Sequence, residues 1–181
     1  MTADVTGSPE ISDGTPVAGY TPGYAAEHGR FTVIPASYVF LLREGEHGTE
    51  VLLQLRRNTG YMDDHWAAAA AGHVERGETA LEAARREAAE EIDVHDADLT
   101  FVTAMQRTRH DLAIDERIDF FFTARSWTGE PRVVEDAKCA GIRWVPLTGL
   151  DSLPQPVVPH ERAVLLGIHD GTLPAYSTFG F

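Results

Sequence analysis

Glu87, Glu90 and Glu91 stand at i, i+3 and i+4 within Thr79–Glu91, a stretch made almost wholly of Ala, Leu, Glu and Arg. At ~100° per residue the three carboxylates share one helix face. That face lies beside an apolar stripe of Leu81, Ala84, Ala88 and Ile92. Like charges at this spacing repel, at a cost of roughly 0.2–0.5 kcal/mol per pair. The nearest cations, Arg85 and Arg86, precede the cluster by one or two residues and are expected to lie off its face. Clustered carboxylate oxygens suit a hard divalent cation. Mg²⁺ takes a few carboxylates, keeps some waters and shares its remaining positions with phosphate oxygens. Such an ion can activate a water and neutralise charge on phosphoryl oxygens. Taken by themselves, the glutamates also fit a solvent-facing acidic helix.

Charge bears on the choice. The 181 residues carry 15 Lys and Arg against 28 Asp and Glu, a net charge of −13. That balance repels nucleic acid and anionic membrane, and neither is expected as a partner. A polyphosphate would be repelled too unless a bound cation reversed the sign locally. No apolar run approaches the ~20 residues that span a bilayer. Met1 is followed by Thr2, Ala3 and Asp4, which does not resemble a secretory signal, so the expected location is cytoplasmic. The single cysteine, Cys139, excludes an internal disulfide framework and a multi-cysteine zinc site, and it reads as a buried thiol. There is no His-x-x-x-His pair, no Gly-x-x-x-x-Gly-Lys loop and no Gly-x-Ser-x-Gly elbow. Phosphate binding must then come through a metal, and a serine hydrolase is disfavoured.

The elements that must position the glutamates can be read in order. Residues 1–29, rich in Gly and Pro with little apolar periodicity, are expected to be a disordered leader ahead of one domain over 30–181. Strands are predicted at Phe31–Arg43, interrupted at Pro35, and at Glu50–Arg57, forming a hairpin through the polar turn Glu44–Thr49. Asn58–Asp64 is a loop. The alanine run Ala67–Ala71 is expected to be extended or looped despite its helix propensity. Glu78–Ile92 is the strongest helix. Strands follow at Leu99–Arg107, Arg117–Arg125 and Ile142–Pro146. A second helix covers Pro159–Ile168, ending near Gly167 or Gly171, and the aromatic tail Leu173–Phe181 is expected to pack on the body.

A longer pattern surrounds the three glutamates. Gly72, Glu78, Arg86, Glu87, Glu90, Glu91 and Val94 resemble the Nudix box, Gly-x5-Glu-x7-Arg-Glu-U-x-Glu-Glu-x-Gly-U, with U a bulky aliphatic. Six of the seven fixed positions match. At roughly one in 15 per position, that is about one in ten million per window by chance, before allowance for local Glu enrichment. Asp93 replaces the box glycine and Ala88 a larger aliphatic. The likeness extends to Arg56-Arg57, Tyr61–Trp66, Arg117–Phe122 and Arg143-Trp144, and so covers about Phe31 to the C-terminus.

The resemblance implies an α/β/α sandwich, a mixed β-sheet flanked by helices with the box as a catalytic loop–helix–loop. It implies a hydrolase that cleaves a phosphoanhydride in a nucleoside diphosphate linked to another moiety. A nucleoside triphosphate giving monophosphate and pyrophosphate is favoured over dinucleotide polyphosphates, nucleotide sugars or a non-catalytic ligand-binding module. Mg²⁺, with Mn²⁺ as a substitute, is the implied cofactor. A nucleotide or other small diphosphate is the implied partner, and a homodimer is allowed. Carried over by position, Glu87, Glu90 and Glu91 are metal ligands, with the carbonyl near Ala71-Gly72 as a further one. Arg86 orients the glutamates. Glu78 returns from the helix start to pair with Arg86 and suits the positive end of the dipole. Glu90 or Glu91 assists deprotonation of the attacking water. A later acid comes from Glu135 or Asp136, with Glu116 and Asp119 behind them. Arg57 is the candidate phosphate contact. Tyr61, Trp66 and Phe122 are candidates for stacking on a base, each also readable as core. Asp93, just past the helix, is expected to adopt the left-handed conformation at a cost that glycine would avoid.

Overall fold

The computed structural model describes residues 27–110 and 113–181. The expected leader over 1–29 lies outside the described residues except for its last three. The chain divides into two units, Met1–Thr32 and Val33–Phe181. Of the first, the described part is a short turn over 27–29. Everything below concerns the second.

Its strands are β1 (Ile34–Gly45), β2 (Gly48–Arg56), β3 (Trp66–Ala68), β4 (Ala70–His73), β5 (Leu99–Arg107), β6 (Arg117–Ala124), β7 (Cys139–Pro146) and β8 (Tyr176–Phe179). Two α-helices, α1 (Ala80–Ile92) and α2 (Pro159–Asp170), complete the unit with two short 3₁₀ turns at Ala113–Asp115 and Leu147–Ser152. The sheet runs β3-β2-β1-β6-β5-β8, with β4 also on β1 and β7 also on β2. It is mixed. β1 pairs parallel with β6, and β5 parallel with β8, while the remaining ladders are antiparallel. The expected sandwich is the observed one.

Side-chain alternation along β1 builds the two layers. Tyr38, Phe40 and Leu42 join Phe121, Val164 and Leu165 on the α2 side. Val39 and Leu41 join Leu52, Phe122, Ala84, Ala88 and Ile92 on the α1 side. Burial on both faces explains why β1 reads as an unbroken apolar run rather than an alternating one. The strand begins three residues later than expected and passes through Pro35 without interruption. Proline is tolerated there because it is the second residue of the strand, and its carbonyl still accepts from Val74 N–H at 3.0 Å. The hairpin is tighter than the six polar residues suggested. Gly45 faces Gly48, leaving a two-residue turn, and Gly48 has φ +103°.

Ala67–Ala70 is extended and almost wholly inaccessible, with exposures of 0–1%. It leaves β2 as β3 and crosses to β1 as β4. Small side chains let the two strands and α1 close on it. The same holds on α1, where Ala83, Ala84, Ala88 and Ile92 face the sheet. Leu81, expected in the stripe, is only half-buried, and Ala83 takes the inward position.

α1 is capped by Thr79 and Glu82 in a reciprocal capping box, so Glu82 rather than Glu78 is the acid of the cap. It ends at Asp93 with φ 57° and ψ 35°, the expected left-handed geometry. The expected penalty is offset by contacts the sequence did not disclose. Asp93 Oδ2 accepts from Arg132 Nε at 2.9 Å, and Oδ1 lies 3.2 Å from His95 Nε2. α2 opens on Pro159 and ends at Gly171, also left-handed at φ 65°. β7 starts at Cys139, three residues before the expected Ile142, and Cys139 is a buried free thiol. The aromatic tail packs as expected and does so as a strand, β8, against β5. Among the described residues no helix is long and apolar enough to cross a membrane.

Candidate active site

α1 lies across β1 and β4 and presents its glutamates to the last strand before it. Ser37 Oγ, buried in β1, donates to the Ala80 carbonyl at 2.6 Å and pins the helix start. Gly72 pairs with Ser37 in β4. A Cβ on Gly72 would collide with the Glu87 carboxylate, so glycine is required by close approach rather than by backbone angle.

Arg86 organises the acids. Its Nη1 donates to Glu87 Oε1 at 2.7 Å and to Glu90 Oε2 at 3.1 Å. Nε and Nη2 donate to the two Glu78 oxygens at 3.2 and 2.7 Å, and Nη2 also reaches the His73 carbonyl at 3.1 Å. The expectation that the arginines lie off the glutamate face is corrected for Arg86. Its long side chain sweeps onto the face of Glu90 at i+4. The Glu78–Arg86 pair is as expected, and these bonds hold the Glu78 carboxyl below its ordinary range. Glu91 takes a different partner. Its Oε2 accepts from Ala71 N–H at 2.9 Å. Burial pushes its pKa up to about 7, against that hydrogen bond and with added repulsion from Glu87 and Glu135. Burial also raises Glu87, with Arg86 opposing.

Glu87, Glu90, Glu91 and Glu135 line a cavity of about 330 Å³, backed by Ala71, Gly72 and His73. Glu135 is thus the later acid that reaches the cluster, and Lys138 Nζ holds it at 2.9 Å. Asp136 contributes a backbone carbonyl to Arg57 Nη2. Glu116 is engaged by Thr108 Oγ1 at 2.6 Å, and Asp119 is fully buried between Arg107 and Arg117. Among the described residues, no three His, Cys, Asp or Glu side chains converge closely enough to ligate one ion as they stand. Glu87 and Glu90 are turned to Arg86, and Glu91 to Ala71. The donor set nevertheless suits a hard cation. It consists of carboxylates around one cavity, and burial raises the pKa of two of them, Glu87 and Glu91.

A second cavity of about 610 Å³ abuts the first and shares Ala71, Gly72, His73, Glu91 and Lys138 with it. Its remaining cations are Arg56, Arg107, Arg109 and Arg117. Arg107 has a side chain only 3% exposed. It donates through Nε to Asp119 at 2.8 Å and through Nη1 to the Tyr61 hydroxyl at 3.0 Å. Arg117 reaches the other Asp119 oxygen at 3.3 Å. Arg56 Nε donates to the Tyr61 carbonyl at 3.0 Å.

Three sequence-based assignments need correction here. Arg57 does not face the cavity. It is exposed and engaged with the Asp136 carbonyl, while its neighbour Arg56 faces inward, as successive residues at a strand end do. Phe122 is 5% exposed in the core under α1, edge-on to Phe101, and offers no face to a ligand. Trp66 is likewise core, with Nε1 donating to Gln155 at 3.2 Å. Tyr61 does line the second cavity. Of the four inward-facing arginines, Arg56 and Arg117 fell within the family likeness without an assigned role, and Arg107 and Arg109 were not singled out. For Arg107 the available signal was position, since it ends a strand whose neighbour begins with Arg117, and the two pair in register.

The NUDIX domain family model matches residues 33–166. Among solved structures, a MutT NUDIX hydrolase from Burkholderia pseudomallei is 25% identical with a TM-score of 0.62, covering 75% of this chain and 97% of that one. The NUDIX domain of Shewanella oneidensis NrtR, solved with ADP ribose, is 17% identical with a TM-score of 0.65, covering 85% and 94%. An Ap4A hydrolase from C. elegans is 19% identical with a TM-score of 0.55, covering 77% and 98%. No curated protein matches. With the family model spanning β1 to α2 and this fold around its glutamates, the chain belongs to the NUDIX domain family and is a Nudix-type pyrophosphohydrolase.

Proposed function

We propose that the protein hydrolyses a phosphoanhydride in a nucleoside diphosphate linked to another moiety, with a divalent cation, Mg²⁺ or Mn²⁺, bound in the acidic cavity. The favoured case is a nucleoside triphosphate giving monophosphate and pyrophosphate. One observation carries the reading. Glu87 and Glu91 are drawn from solvent into a common cavity against the backbone of Ala71 and Gly72, and among the described residues the cation in contact with them is Arg86, on Glu87. Burying carboxylates so is costly unless positive charge arrives.

Glu87, Glu90, Glu91 and Glu135 would hold the ion, with a carbonyl at Ala71-Gly72 within the same wall. When bound, the ion supplies charge neutralisation on phosphoryl oxygens and lowers the pKa of a water. The chain's own residues do the rest. Arg86 fixes the rotamers of Glu87 and Glu90 while Glu78 holds Arg86. Glu90 or Glu91 takes the proton of the attacking water. Arg56, Arg107 and Arg117 make the adjoining cavity attractive to an anionic part of the substrate.

The test is phosphate and pyrophosphate release from a panel of nucleoside triphosphates, dinucleotide polyphosphates, nucleotide sugars and ADP ribose. Each is run with Mg²⁺, with Mn²⁺ and in excess EDTA. Turnover restricted to the metal-containing arms is expected. Undiminished turnover in EDTA would overturn the metal assignment, and no turnover on any member would leave a binding module.

A further inference from the structure

The second cavity is the least expected part of this molecule. Five of its lining residues are cations, Arg56, Arg107, Arg109, Arg117 and Lys138. The whole chain has only 15 Lys and Arg and a net charge of −13. The carboxylates lining the same space are Glu91, Asp115 and Glu161, and Asp119 lies beneath Arg107 and Arg117. Cations therefore outnumber the carboxylates that face them. Burying a guanidinium such as Arg107, 3% exposed, requires the fully buried Asp119 to hold it. A surface that merely needed solubility would place its arginines in water.

The aromatic inventory points the same way. Tyr61 is the ring best placed to stack on a base, yet the guanidinium carbons of Arg56, Arg107 and Arg109 lie 5.7, 5.9 and 5.9 Å from its centroid. Its hydroxyl is taken by Arg107. Tyr38, the other ring in the cavity, is stacked on Phe121 at 4.7 Å. The cavity therefore offers charge and forked N–H donors, and its rings serve chiefly as a platform for arginines. Arginine in such a setting is suited to two-pronged recognition of phosphate.

Resting on the reading of the acidic cavity as the hydrolytic centre, the geometry points to a second anion subsite. It takes a phosphate monoester carried by the substrate away from the anhydride that is cleaved. The substrate class is then a nucleoside diphosphate derivative phosphorylated on a ribose or on the linked moiety, in preference to one whose remote part is uncharged. The shared wall of Ala71, Gly72, His73, Glu91 and Lys138 lets one molecule enter both cavities at once.

Two measurements test this on the full chain. The first is calorimetric binding, in EDTA, of adenosine 3′,5′-bisphosphate against AMP. The bisphosphate is expected to bind at least about tenfold tighter at low salt, the scale of one charge-assisted contact. That preference should fall to within about threefold in Arg109→Gln and in Arg56→Gln. Melting curves of both variants exclude a loss of fold as the cause. The second is the ratio of kcat/KM for ADP ribose 2′-phosphate over ADP ribose with Mg²⁺, expected to exceed about ten and to collapse in the same variants. Equal binding of the two nucleotides, or a preference that both substitutions leave intact, overturns the subsite. Because the binding arm needs neither metal nor turnover, a protein that prefers the bisphosphate but hydrolyses nothing refutes the catalytic reading and leaves the subsite standing.

Discussion

Two cavities share one wall and carry opposite charge. In the acidic one, Glu87, Glu90 and Glu91 come from a single helix, joined by Glu135 from a later loop. In the basic one, Arg56, Arg107, Arg109 and Arg117 come from the end of β2, the end of β5, the loop beyond it and the start of β6. A function concentrated in one helix leaves a pattern in the sequence, because helical spacing fixes which residues share a face. A function assembled from strand ends leaves none, since the arginines are separated by up to 61 positions and meet only through the sheet register. The difference also sets how each site fails. Glu91 lies among like charges and is expected to lose nothing in stability when neutralised, whereas the buried pairs of Asp119 with Arg107 and Arg117 are expected to make that charge costly to lose.

Glu91→Gln is the strongest way to sharpen that contrast. It removes a proposed metal ligand and a candidate base, so kcat should fall at least ~100-fold. Its thermal stability without metal should stay level or rise, because burial already pushes the Glu91 carboxyl up to about 7. Steady-state kinetics and melting in EDTA read both. A variant within threefold of the parent kcat would remove Glu91 from the centre.

Asp119→Asn probes the other side. It leaves Arg107 and Arg117 without their buried counter-charge. A loss of about 3 kcal/mol is expected in denaturant unfolding, the scale of breaking a buried pair from one side. A change below ~1 kcal/mol would mean that Tyr61, His73 and solvent already satisfy the two arginines.

A smaller effect is expected at Glu161, fully buried at the start of α2 with Oε2 accepting from Ala68 N–H. Burial raises its pKa to about 7. The folded state therefore binds this proton more tightly than the unfolded chain. The stability it brings is fully present below the unfolded value near 4.5 and is lost as pH rises through about 7. Glu161→Gln keeps an oxygen for Ala68 and removes the titration. Between pH 5 and 8 the variant should lose less stability than the parent, by on the order of 1–3 kcal/mol. Parallel pH profiles for the two proteins would show that Glu161 is not the buried acid it is taken for.

The smallest effect concerns Asp93. From sequence alone, Asp93→Gly should stabilise, because glycine enters the left-handed region freely. The backbone geometry is the one anticipated, but Arg132 and His95 hold the carboxylate and would be released. The two effects oppose, and a shift in melting temperature of no more than roughly 3 °C in either direction is expected. A larger rise would show that the Arg132 contact contributes little.

These cases also mark what the sequence could disclose. The α1 helix, its left-handed end and the Glu78–Arg86 pair follow from local spacing and from a motif that matches. The extended alanine run was legible because its place ahead of the box outweighed its propensity. Arg57 was misassigned because facing at a strand end is set by a register that sequence does not fix, and Phe122 because β6 is buried on both faces, with Phe121 in one layer and Phe122 in the other. β8 was missed because four residues carry too little periodicity to declare a strand. Pro35 misled because its place at the very start of β1, where a missing N–H does little harm, is a property of the sheet.

Ala67–Ala70 has a consequence for how such a protein can diverge. Four successive residues with no χ angle have no rotamers to choose among, so this stretch has one packing and cannot be retuned by swapping conformers. It delivers Ala71–His73 to both cavities through backbone pairing alone. Enlarging Ala69 or Ala70 would press on α1, and enlarging Ala68 would press on the α2 layer; either would shift the wall that both sites share. Selection for a new substrate is therefore channelled to the residues that reach over the wall from loops, around Thr59–Tyr61, Arg109 and Lys138. The floor is inherited unchanged while the rim is free to vary.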